Sequence, residues 1–509
     1  MIPEDVRGNA MLRKSIAIMK KYASFIGPGI MVSVAYMDPG NYSTAVSSGA
    51  MYEYKLLFVI FMSNLFAVVL QCLCIKLGTV TGLDLAEFCR LHLSSSVNIS
   101  LYVCAELAII FTDLAEVVGT AISLEIIFGI PLTYGVLVTI LDVLVVLIAY
   151  HKDGTMRQTR LFEFLVSLLV FATCICFILE LFKCQFESGS LRKIVDGFLP
   201  INKQIFKEKN ALFLSCGIVG STVMPHSLYL GSALVQSRLK EYDVTNGYLS
   251  QSNTIESEDE QEQTANRSKI RRLTDNRKLK KKYKPSYEAI KYCLSYSYTE
   301  LVLSLFLIAV FVNAAILIVS GTTLFHKPDA EDADLLSIYE MLSYYISPAA
   351  GMIFALSMLF SGQSAGIVCT MAGQIVSEGF INWSFEPWVR RLITRIVAII
   401  PVLVVISILG REGISKIINS SQVALSLILP VVSAPLIWFT CKKEYMTVDN
   451  SRLNVDENSA LLNDSSDDRT SRISFENGSF LTIAGTLTWL IITALNIYLI
   501  IAFAKGEDI

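Results

Sequence analysis

Long apolar runs separated by short polar segments dominate the sequence from about residue 24 onward. Each run has about the 20 residues that an α-helix needs to cross the hydrocarbon core of a bilayer. The pattern predicts an all-α polytopic membrane protein with about eleven transmembrane helices, called spans one to eleven below. The predicted spans are 24–50, 55–77, 99–125, 131–150, 160–183, 209–236, 290–320, 346–377, 388–408, 414–440 and 479–503.

Span one is interrupted in its middle by the polar sequence Asp38-Pro39-Gly40-Asn41. A carboxylate at that depth costs about 2.5 to 3.5 kcal/mol on insertion scales. Pro39 removes a backbone donor and Gly40 loosens the helix, and such irregular backbone is tolerated in a bilayer only where protein or a wet cavity surrounds it. We therefore predict a helix break that faces a cation, although a kinked helix with a hydrogen-bonded Asp38 satisfies the same pattern.

Span six carries a second interruption, Met224-Pro225-His226, again in the middle of an apolar run. Spans one and six each open a block of five spans, as expected for inverted repeats whose discontinuous helices meet near the bilayer midplane. One proline in a membrane helix is weak evidence, but matching interruptions in both blocks are stronger. The sequence thus predicts that Pro39, Gly40 and Pro225 mark two broken helices around one site.

The residues at the two breaks offer a mixed set of metal ligands. Asp38 and Asn41 carry hard oxygen atoms, Met224 carries a soft thioether sulfur, and unwound backbone near Ala35 and Ser221 offers carbonyls. Hard oxygen alone suits calcium or magnesium, whereas an added thioether favours transition metals such as Mn²⁺ and Fe²⁺. Residue type alone leaves open that Met224 is a packed core methionine.

Span three places Glu106, Asp113 and Glu116 within about a quarter turn of one another, at 100° per residue. Three acids on one face of a membrane helix cannot all stay charged without partners. Span nine supplies the arginines Arg390, Arg391 and Arg395, of which the last two share a face at an i to i+4 spacing. We predict an acid and arginine network that relays protons, with a static ion network as the alternative.

Arg390 and Arg391 also fit charged residues at the cytosolic edge of the membrane. Arg395 is therefore the preferred relay candidate among the three arginines. Asp142 in span four and Glu300 in span seven are further acids within apolar runs. The sequence assigns no role to either of them.

The composition fits a membrane protein and excludes several other classes. Apolar residues make up 53% of the 509 residues, charged residues make up 17%, and the mean hydropathy is +0.54, which is too apolar for a soluble protein. The net charge of −3 and the dispersed basic residues argue against a nucleic-acid partner. The 11 cysteines show no CxxC spacing, so we expect packed free thiols rather than disulfides or a zinc site.

Basic residues mark the predicted cytosolic side of the membrane. They cluster in the N-terminal segment, at 152–160, at 238–284 and at 442–443. The positive-inside rule then places the N-terminus in the cytosol, and an odd number of spans places the C-terminus in a lumen or outside. The N-terminal segment has no small-residue cleavage site after a short apolar core, so we expect no cleaved signal peptide.

Two cytosolic loops, 239–285 and 444–477, are polar and charged, and we predict that both are disordered. The chain then divides into five segments. They are a cytosolic N-terminal segment at 1–22, a first five-helix repeat at 23–183, a second repeat at 209–440 that contains the loop 239–285, a cytosolic loop at 441–478, and a last span with its tail at 479–509.

The two interrupted spans, with Gly362-Gln363-Ser364 and Gly373-Gln374 in span eight, resemble the Nramp family of proton-coupled divalent metal transporters. The resemblance covers about residues 20 to 505. The short N-terminus and the Ser-rich loops are similar to those of the fungal intracellular, vacuolar branch. The resemblance implies the LeuT-like fold of inverted five-helix repeats, with broken helices 1 and 6.

The resemblance also implies roles for individual residues. The family's metal ligands correspond to Asp38, Asn41 and Met224, to the carbonyls of Ala35 and Ser221, and to Gln422 in span ten. His226 would affect proton coupling, and the proton route would run from Asp38 through the span-three acids toward the span-nine arginines. Many members have Ala where Ser221 stands, and many carry a second His where Gly231 stands, so a role of that second imidazole is absent here.

The expected function is secondary active transport of Mn²⁺ or Fe²⁺ into the cytosol, coupled to protons by alternating access. We expect a monomer in a vacuolar or other endomembrane, with no resident cofactor. Enzymatic activity is not expected, because the sequence has neither an HExxH spacing nor a nucleophile and base pair. Alternatives are a sodium-coupled amino-acid symporter on the same fold, for which Met224 and His226 are poor ligands, and a membrane metal sensor that does not transport.

Overall fold

The computed structural model describes residues 28–141, 156–200, 208–248, 283–325, 327, 335–382, 387–410, 412–449 and 472–505. The predicted N-terminal segment 1–22, Asp142 and the central parts of both predicted disordered loops lie outside these residues. The described residues of the first block form α1 (Pro28–Val34), α2 (Pro39–Tyr52), α3 (Leu57–Thr81), α4 (Leu85–His92), α5 (Ser95–Phe128), α6 (Leu132–Val138) and α7 (Met156–Lys183).

The described residues after α7 continue the helical pattern. They form α8 (Ser190–Gly197), α9 (Lys209–Thr222), α10 (Pro225–Thr245), α11 (Tyr287–Ser304), α12 (Val310–Thr323), α13 (Leu335–Tyr345), α14 (Pro348–Ile381), α15 (Pro387–Leu409), α16 (Glu412–Cys441) and α17 (Ser479–Ala504). One π-helical turn, Leu305–Ala309, joins α11 to α12, and two short strands, β1 (Thr447–Asp449) and β2 (Arg472–Ser474), precede α17. The prediction of an all-α polytopic membrane protein is confirmed.

The predicted spans correspond to helices of membrane-crossing length. In the described part of the chain, eight helical segments are long and apolar enough to cross a bilayer, and two shorter apolar helices lie at Leu132–Leu141 and Leu392–Ile408. With the broken pair α1 and α2, a described helix falls within each of the eleven predicted spans, although residues 142–150 of span four lie outside the described residues. The two breaks also fall where they were predicted, at the start of each five-helix block.

Burial separates the central helices from the peripheral ones. In the most apolar 18-residue stretch of α9 and α10, 94% of the residues are buried within the protein. In the corresponding stretch of α17, only 22% are buried. Helix α9 packs against α2 and α16, and α5 packs against α14. The two broken helices therefore lie in the centre of the bundle, while α17 presents an apolar surface suited to lipid.

The ends of both cytosolic loops are ordered, which corrects the predicted extent of disorder. Helix α10 continues to Thr245, well beyond residue 239, and β1 pairs antiparallel with β2. The end of the second loop is anchored to α3 by a lysine. Lys76 Nζ donates to the Glu476 carbonyl and to Asn477 Oδ1, both at 3.0 Å. Long-range contacts of this kind leave no periodic signal in the sequence.

Asp243 ties the end of α10 to the beginning of α11. Its carboxylate accepts hydrogen bonds from Tyr283 Oη at 2.6 Å, from the Ser286 backbone N–H at 3.0 Å and from Ser286 Oγ at 2.5 Å. Burial and the hydrogen bond to Asp243 hold the pKa of Tyr283 above its usual range, so the phenol stays a donor. These bonds fix the positions at which the long loop leaves and re-enters the bundle.

We expect Asp243→Ala to lower the stability of the detergent-solubilised protein. The substitution leaves three donors without their acceptor, at a cost of about 1 to 3 kcal/mol for a buried polar group. A thermal unfolding series by size-exclusion chromatography should show a midpoint several degrees lower than that of wild type. Lys291→Gln, at an exposed position on α11, is the control and should leave the midpoint unchanged; equal midpoints for all three proteins would contradict the anchoring role.

Candidate functional site

The break in span one is built by helix capping. Helix α1 ends at Val34, and Asp38 has the extended backbone of an N-cap residue, with φ −76° and ψ 168°. Its Oδ1 accepts from the Asn41 backbone N–H at 3.0 Å and from Asn41 Nδ2 at 2.8 Å. Pro39 occupies the first helical position, where its missing N–H leaves no hydrogen bond unmade. The Asp-Pro-Gly-Asn sequence is therefore the start of a new helix in mid-membrane.

The residues between α1 and α2 form tight turns whose carbonyls are held by other helices. The backbone N–H groups of Ala35 and Tyr36 donate to Val32 and Ser33. The Tyr36 carbonyl accepts from Asn313 Nδ2 at 3.0 Å, and Ser361 Oγ donates to the Met37 carbonyl. Side chains from α12 and α14 thus replace the helical hydrogen bonds that the break removes.

The break in span six follows the same construction. Helix α9 ends at Thr222, and Met224 is the extended N-cap residue of α10, with Pro225 at the first helical position. The Met224 carbonyl accepts from Ser227 Oγ at 2.7 Å, and the Met224 side chain is fully buried. Two proline-started helices consequently begin in the middle of the bundle, one in each block.

The two breaks contact each other directly. Asn41 Nδ2 donates to the Ser221 carbonyl at 3.0 Å, and Thr44 Oγ1 lies 3.2 Å from Ser221 Oγ. Asp38, Asn41, Ser221 and Met224 are all buried. The two breaks therefore meet at Asn41 and Ser221, with Ala35 in the turn before α2 and Met224 at the start of α10.

Helix α16 closes this position from a third side. A Cβ atom at Gly40 would collide with the Gln422 carboxamide, and one at Gly220 would collide with the Gln422 carbonyl. The absence of side chains at these two glycines lets α16 approach both breaks. Gln422, predicted from the resemblance alone, consequently lies against the start of α2.

Two oxygen atoms at this position have no hydrogen-bond partner among the described residues, Asp38 Oδ2 and Gln422 Oε1, and both are buried. Buried polar atoms in native proteins are nearly always satisfied, so unsatisfied ones call for an explanation. Two oxygens of this kind, with a buried thioether sulfur at the neighbouring break, fit the mixed ligand preference of a transition-metal cation. The arrangement suits a cation that enters and leaves as substrate.

His226 connects the breaks to the acids of α5. The imidazole is 1% exposed, and its Nδ1 lies 3.5 Å from Thr112 Oγ1, next to Asp113 in the sequence. A carboxylate oxygen of Asp113, a carboxylate oxygen of Glu116 and the Cys369 Sγ all lie within 4.8 Å of one another. This location agrees with the predicted direction of the proton route, from span one toward span three.

Arg395 is the cation of this buried cluster. Its Nη2 lies 3.5 Å from Glu116 Oε2, its Nη1 donates to the Asp113 carbonyl at 3.5 Å, and its side chain is 1% exposed. Because the guanidinium already pairs with Glu116, the cluster has less uncompensated negative charge to offer a divalent cation than its two carboxylates alone would have. Removing one partner of such a pair costs about 3 to 5 kcal/mol.

Glu106 pairs with Arg390, one of the three arginines of the predicted network. Arg390, for which a place at the membrane edge was the alternative, donates through Nη2 to both carboxylate oxygens of Glu106 at 2.7 Å. The Arg391 side chain lies outside the described residues. The acids of α5 thus separate into Glu106 with Arg390 and the deeper pair Glu116 with Arg395, because α15 places Arg390 and Arg395 at different depths.

Sequence reasoning missed a polar group that spans three helices below the site. Gln71 Nε2 donates to Tyr36 Oη at 2.9 Å and to the Ser227 carbonyl at 3.0 Å. A Cβ atom at residue 231 would collide with Gln71 Oε1. Gln71 therefore occupies the space beside Gly231, and the single sequence carries no signal that pairs these two positions.

Comparisons with known proteins agree with this geometry. The family model described as natural resistance-associated macrophage protein-like (Nramp) matches residues 29–455. The chain is 53% identical over 510 residues to the iron transporter SMF3 of Saccharomyces cerevisiae, covering 98% of this chain and 100% of that protein. It is 46% identical to the manganese transporter SMF1 of the same yeast, over 96% of this chain and 87% of that protein.

A solved structure is similar as well. The crystal structure of the Eremococcus coleocola manganese transporter in complex with an aromatic bis-isothiourea substituted compound superposes with a TM-score of 0.72 at 29% identity. The match covers 97% of this chain and 90% of that chain. The similarity therefore includes both broken helices and the helices that surround them.

We expect Asp38→Asn to weaken Mn²⁺ binding by about tenfold or more, a loss of about 1.4 kcal/mol or more. The amide keeps the size of the side chain but removes the anionic oxygen that a hard or borderline cation prefers. Isothermal titration of the purified protein with Mn²⁺ measures the change. Asp196→Asn, an exposed carboxylate on α8, is the matched control, and equal affinities of the two variants would refute the assignment of Asp38.

Proposed function

Because this chain belongs to the Nramp family, we propose that it carries Mn²⁺ or Fe²⁺ across a membrane into the cytosol, coupled to protons by alternating access. Divalent metal transport is the activity that the chain shares with its relatives, which include an iron transporter and a manganese transporter. The observation that carries the proposal is the meeting of Asp38, Asn41 and the Ser221 carbonyl at two helix breaks, beside buried oxygens that have no partner.

In this proposal, Asp38, Asn41, Met224 and Gln422 hold the metal, with the carbonyls of Ala35 and Ser221 as further ligands. Asn41 Nδ2 donates to Asp38 Oδ1 and to the Ser221 carbonyl, so a metal can bind the free Asp38 Oδ2 directly but must displace the amide to bind the Ser221 carbonyl. The thioether of Met224 adds the soft ligand that distinguishes Mn²⁺ and Fe²⁺ from Ca²⁺ and Mg²⁺.

The proposed proton path starts at the same site. A carboxylate ligand must be deprotonated to bind a metal, so metal and proton compete for Asp38. His226 and Thr112 lie between the breaks and the cluster of Asp113, Glu116 and Arg395. We assign this cluster to proton transfer, because it contains acids and a balancing guanidinium but no thioether ligand.

The proposed orientation follows from the charged loops. Basic residues at 152–160, 271–284 and 442–443 fall in the sequence between the predicted spans, and the positive-inside rule assigns these loops to the cytosol. The N-terminus is then cytosolic and the C-terminus luminal. We propose a vacuolar or related endomembrane location from the likeness to the fungal intracellular branch, and a monomer because both breaks belong to one chain.

We expect purified wild-type protein in proteoliposomes to take up Mn²⁺ together with protons, Asp38→Ala to take up neither, and Met224→Ala to take up Mn²⁺ but also Ca²⁺. The loss of the thioether leaves only oxygen ligands, which accept calcium. Metal uptake and internal pH are followed with fluorescent indicators.

Met352→Ala is the matched control for this experiment, because Met352 is an exposed methionine on α14. The Met352→Ala variant should take up Mn²⁺ but no Ca²⁺, as wild type does. If wild type moves no divalent metal, or if Asp38→Ala transports at the wild-type rate, the proposed function is wrong.

A further inference from the structure

Glu180 is a buried acid that the mechanism described above does not use. It lies on α7, one turn before the end of this helix at Lys183, and its residue surface is 0% exposed. It lines a small cavity with residues of α2, α7, α12, α13 and α14, which are Val46, Phe177, Ile316, Val319, Ser320, Ile338, Leu342 and Phe354. Apart from Ser320, every one of these neighbours is apolar.

Neither carboxyl oxygen of Glu180 has a hydrogen-bond partner among the described residues. The one hydroxyl in the cavity wall, Ser320 Oγ, donates to the Val46 carbonyl at 2.8 Å. An ionised carboxylate in such surroundings costs several kcal/mol even after the protein relaxes. This arrangement of helices therefore accommodates Glu180 as the neutral acid.

Within the part of the chain that the structure describes, the other titratable groups near Glu180 offer no positive charge. Tyr42 on α2 and Cys176 and Cys184 beside it along the α7 segment interact with its carboxylate. The cavity residues contributed by α12, α13 and α14 are not titratable, and Lys183 Nζ points away, 3.4 Å from Ser347 Oγ at an exposed site. One carboxyl group among apolar side chains also provides too few ligands for a divalent cation. The ligand that fits is a proton.

In the proposed alternating access, the helices around this cavity separate when the outer side opens. Helix α2 begins at Pro39, after its cap Asp38, and continues past Tyr42 and Val46, toward the luminal side in the proposed orientation. The Tyr42 ring packs 5.4 Å from Phe177 and 6.0 Å from Phe354, between centroids. The rings of Phe177 and Phe354 line the Glu180 cavity, and Tyr42 directly follows the proposed ligand Asn41 in the sequence. When α2 and α13 move apart, Glu180 gains contact with water and is free to ionise.

We propose that Glu180 is a second proton-binding site, on the luminal side of the metal position, which takes up a proton from the lumen as the outer helices close. The inference rests on the proposed alternating access, and it adds a proton-binding step that does not involve Asp38. Protonation converts the carboxylate to a neutral acid that fits the apolar cavity, and opening reverses the change. An acidic lumen therefore favours closure over the bound metal, and a neutral lumen opposes it.

Two neutral replacements test this step. Glu180→Gln keeps the shape of the side chain, and Glu180→Leu matches the apolar cavity wall, so closure no longer requires a proton in either variant. Initial Mn²⁺ uptake into proteoliposomes is measured while the outer pH is varied from about 5 to about 8 and the inner pH is fixed. The proton gradient changes equally for all proteins, so the ratio of variant to wild-type rate isolates the effect of Glu180.

The expected ratio is near one at the acidic end and rises to about threefold or more at the alkaline end for both variants. Glu300→Gln is the matched control, because Glu300 is a buried acid that instead accepts a hydrogen bond from the Gly29 N–H at 2.9 Å. The ratio of the Glu300→Gln uptake rate to the wild-type uptake rate should not change with outer pH. If the uptake rates of both Glu180 variants depend on outer pH in the same way as the wild-type rate, the proposal is overturned.

A second measurement separates this proposal from the transport function. Val46→Cys places a thiol in the cavity wall, where an impermeant methanethiosulfonate reagent added outside reacts only when the outer helices are open. Without metal and at alkaline pH, Val46→Cys should react faster than Val46→Cys/Glu180→Gln, and at acidic pH the two rates should agree. Equal rates at both pH values overturn the role of Glu180 even if Mn²⁺ uptake is normal. A pH-dependent difference supports it even if uptake fails.

Discussion

Satisfying the backbone of two helices that stop in the middle of a membrane is the constraint on which the rest of this structure depends. In hydrocarbon, each free N–H or carbonyl costs several kcal/mol. Asp38 caps one new helix, Pro39 and Pro225 start two helices without unused donors, and Asn313 and Ser361 hold the freed carbonyls. The freed backbone groups are thereby satisfied, while Asp38 Oδ2 and Gln422 Oε1 are among the buried oxygens that have no partner in the described residues.

The buried acids differ in what surrounds them, and their proposed roles follow from that difference. Asp38 is held by Asn41 and keeps one oxygen free for a cation, while Glu116 lies beside the Arg395 guanidinium. Glu180 lies among apolar side chains. A hydrogen-bonded acid suits metal binding, a charge-balanced acid suits proton transfer, and an unsolvated acid fits only in its neutral form.

Much of this arrangement could be predicted from the sequence, because the features that specify it are local in the chain. Prolines at matching places in two apolar runs predicted both breaks, and run lengths predicted the spans. The contacts that depend on how helices pack were not predictable in this way. Glu106 pairs with Arg390 because of the depth at which α15 crosses α5, and Glu180 is one acid in an otherwise apolar run, which gives no pattern. The paired strands β1 and β2, of three residues each, are too short for periodicity to reveal.

The central claim is that the two helix breaks form one metal site, separate from the acids of α5. Anomalous diffraction at the manganese absorption edge from crystals grown with Mn²⁺ tests this most directly. The account predicts one dominant peak in contact with the Asp38 carboxylate and the Met224 sulfur. A dominant peak at Asp113, Glu116 and Cys369 instead, with none between the breaks, would contradict it.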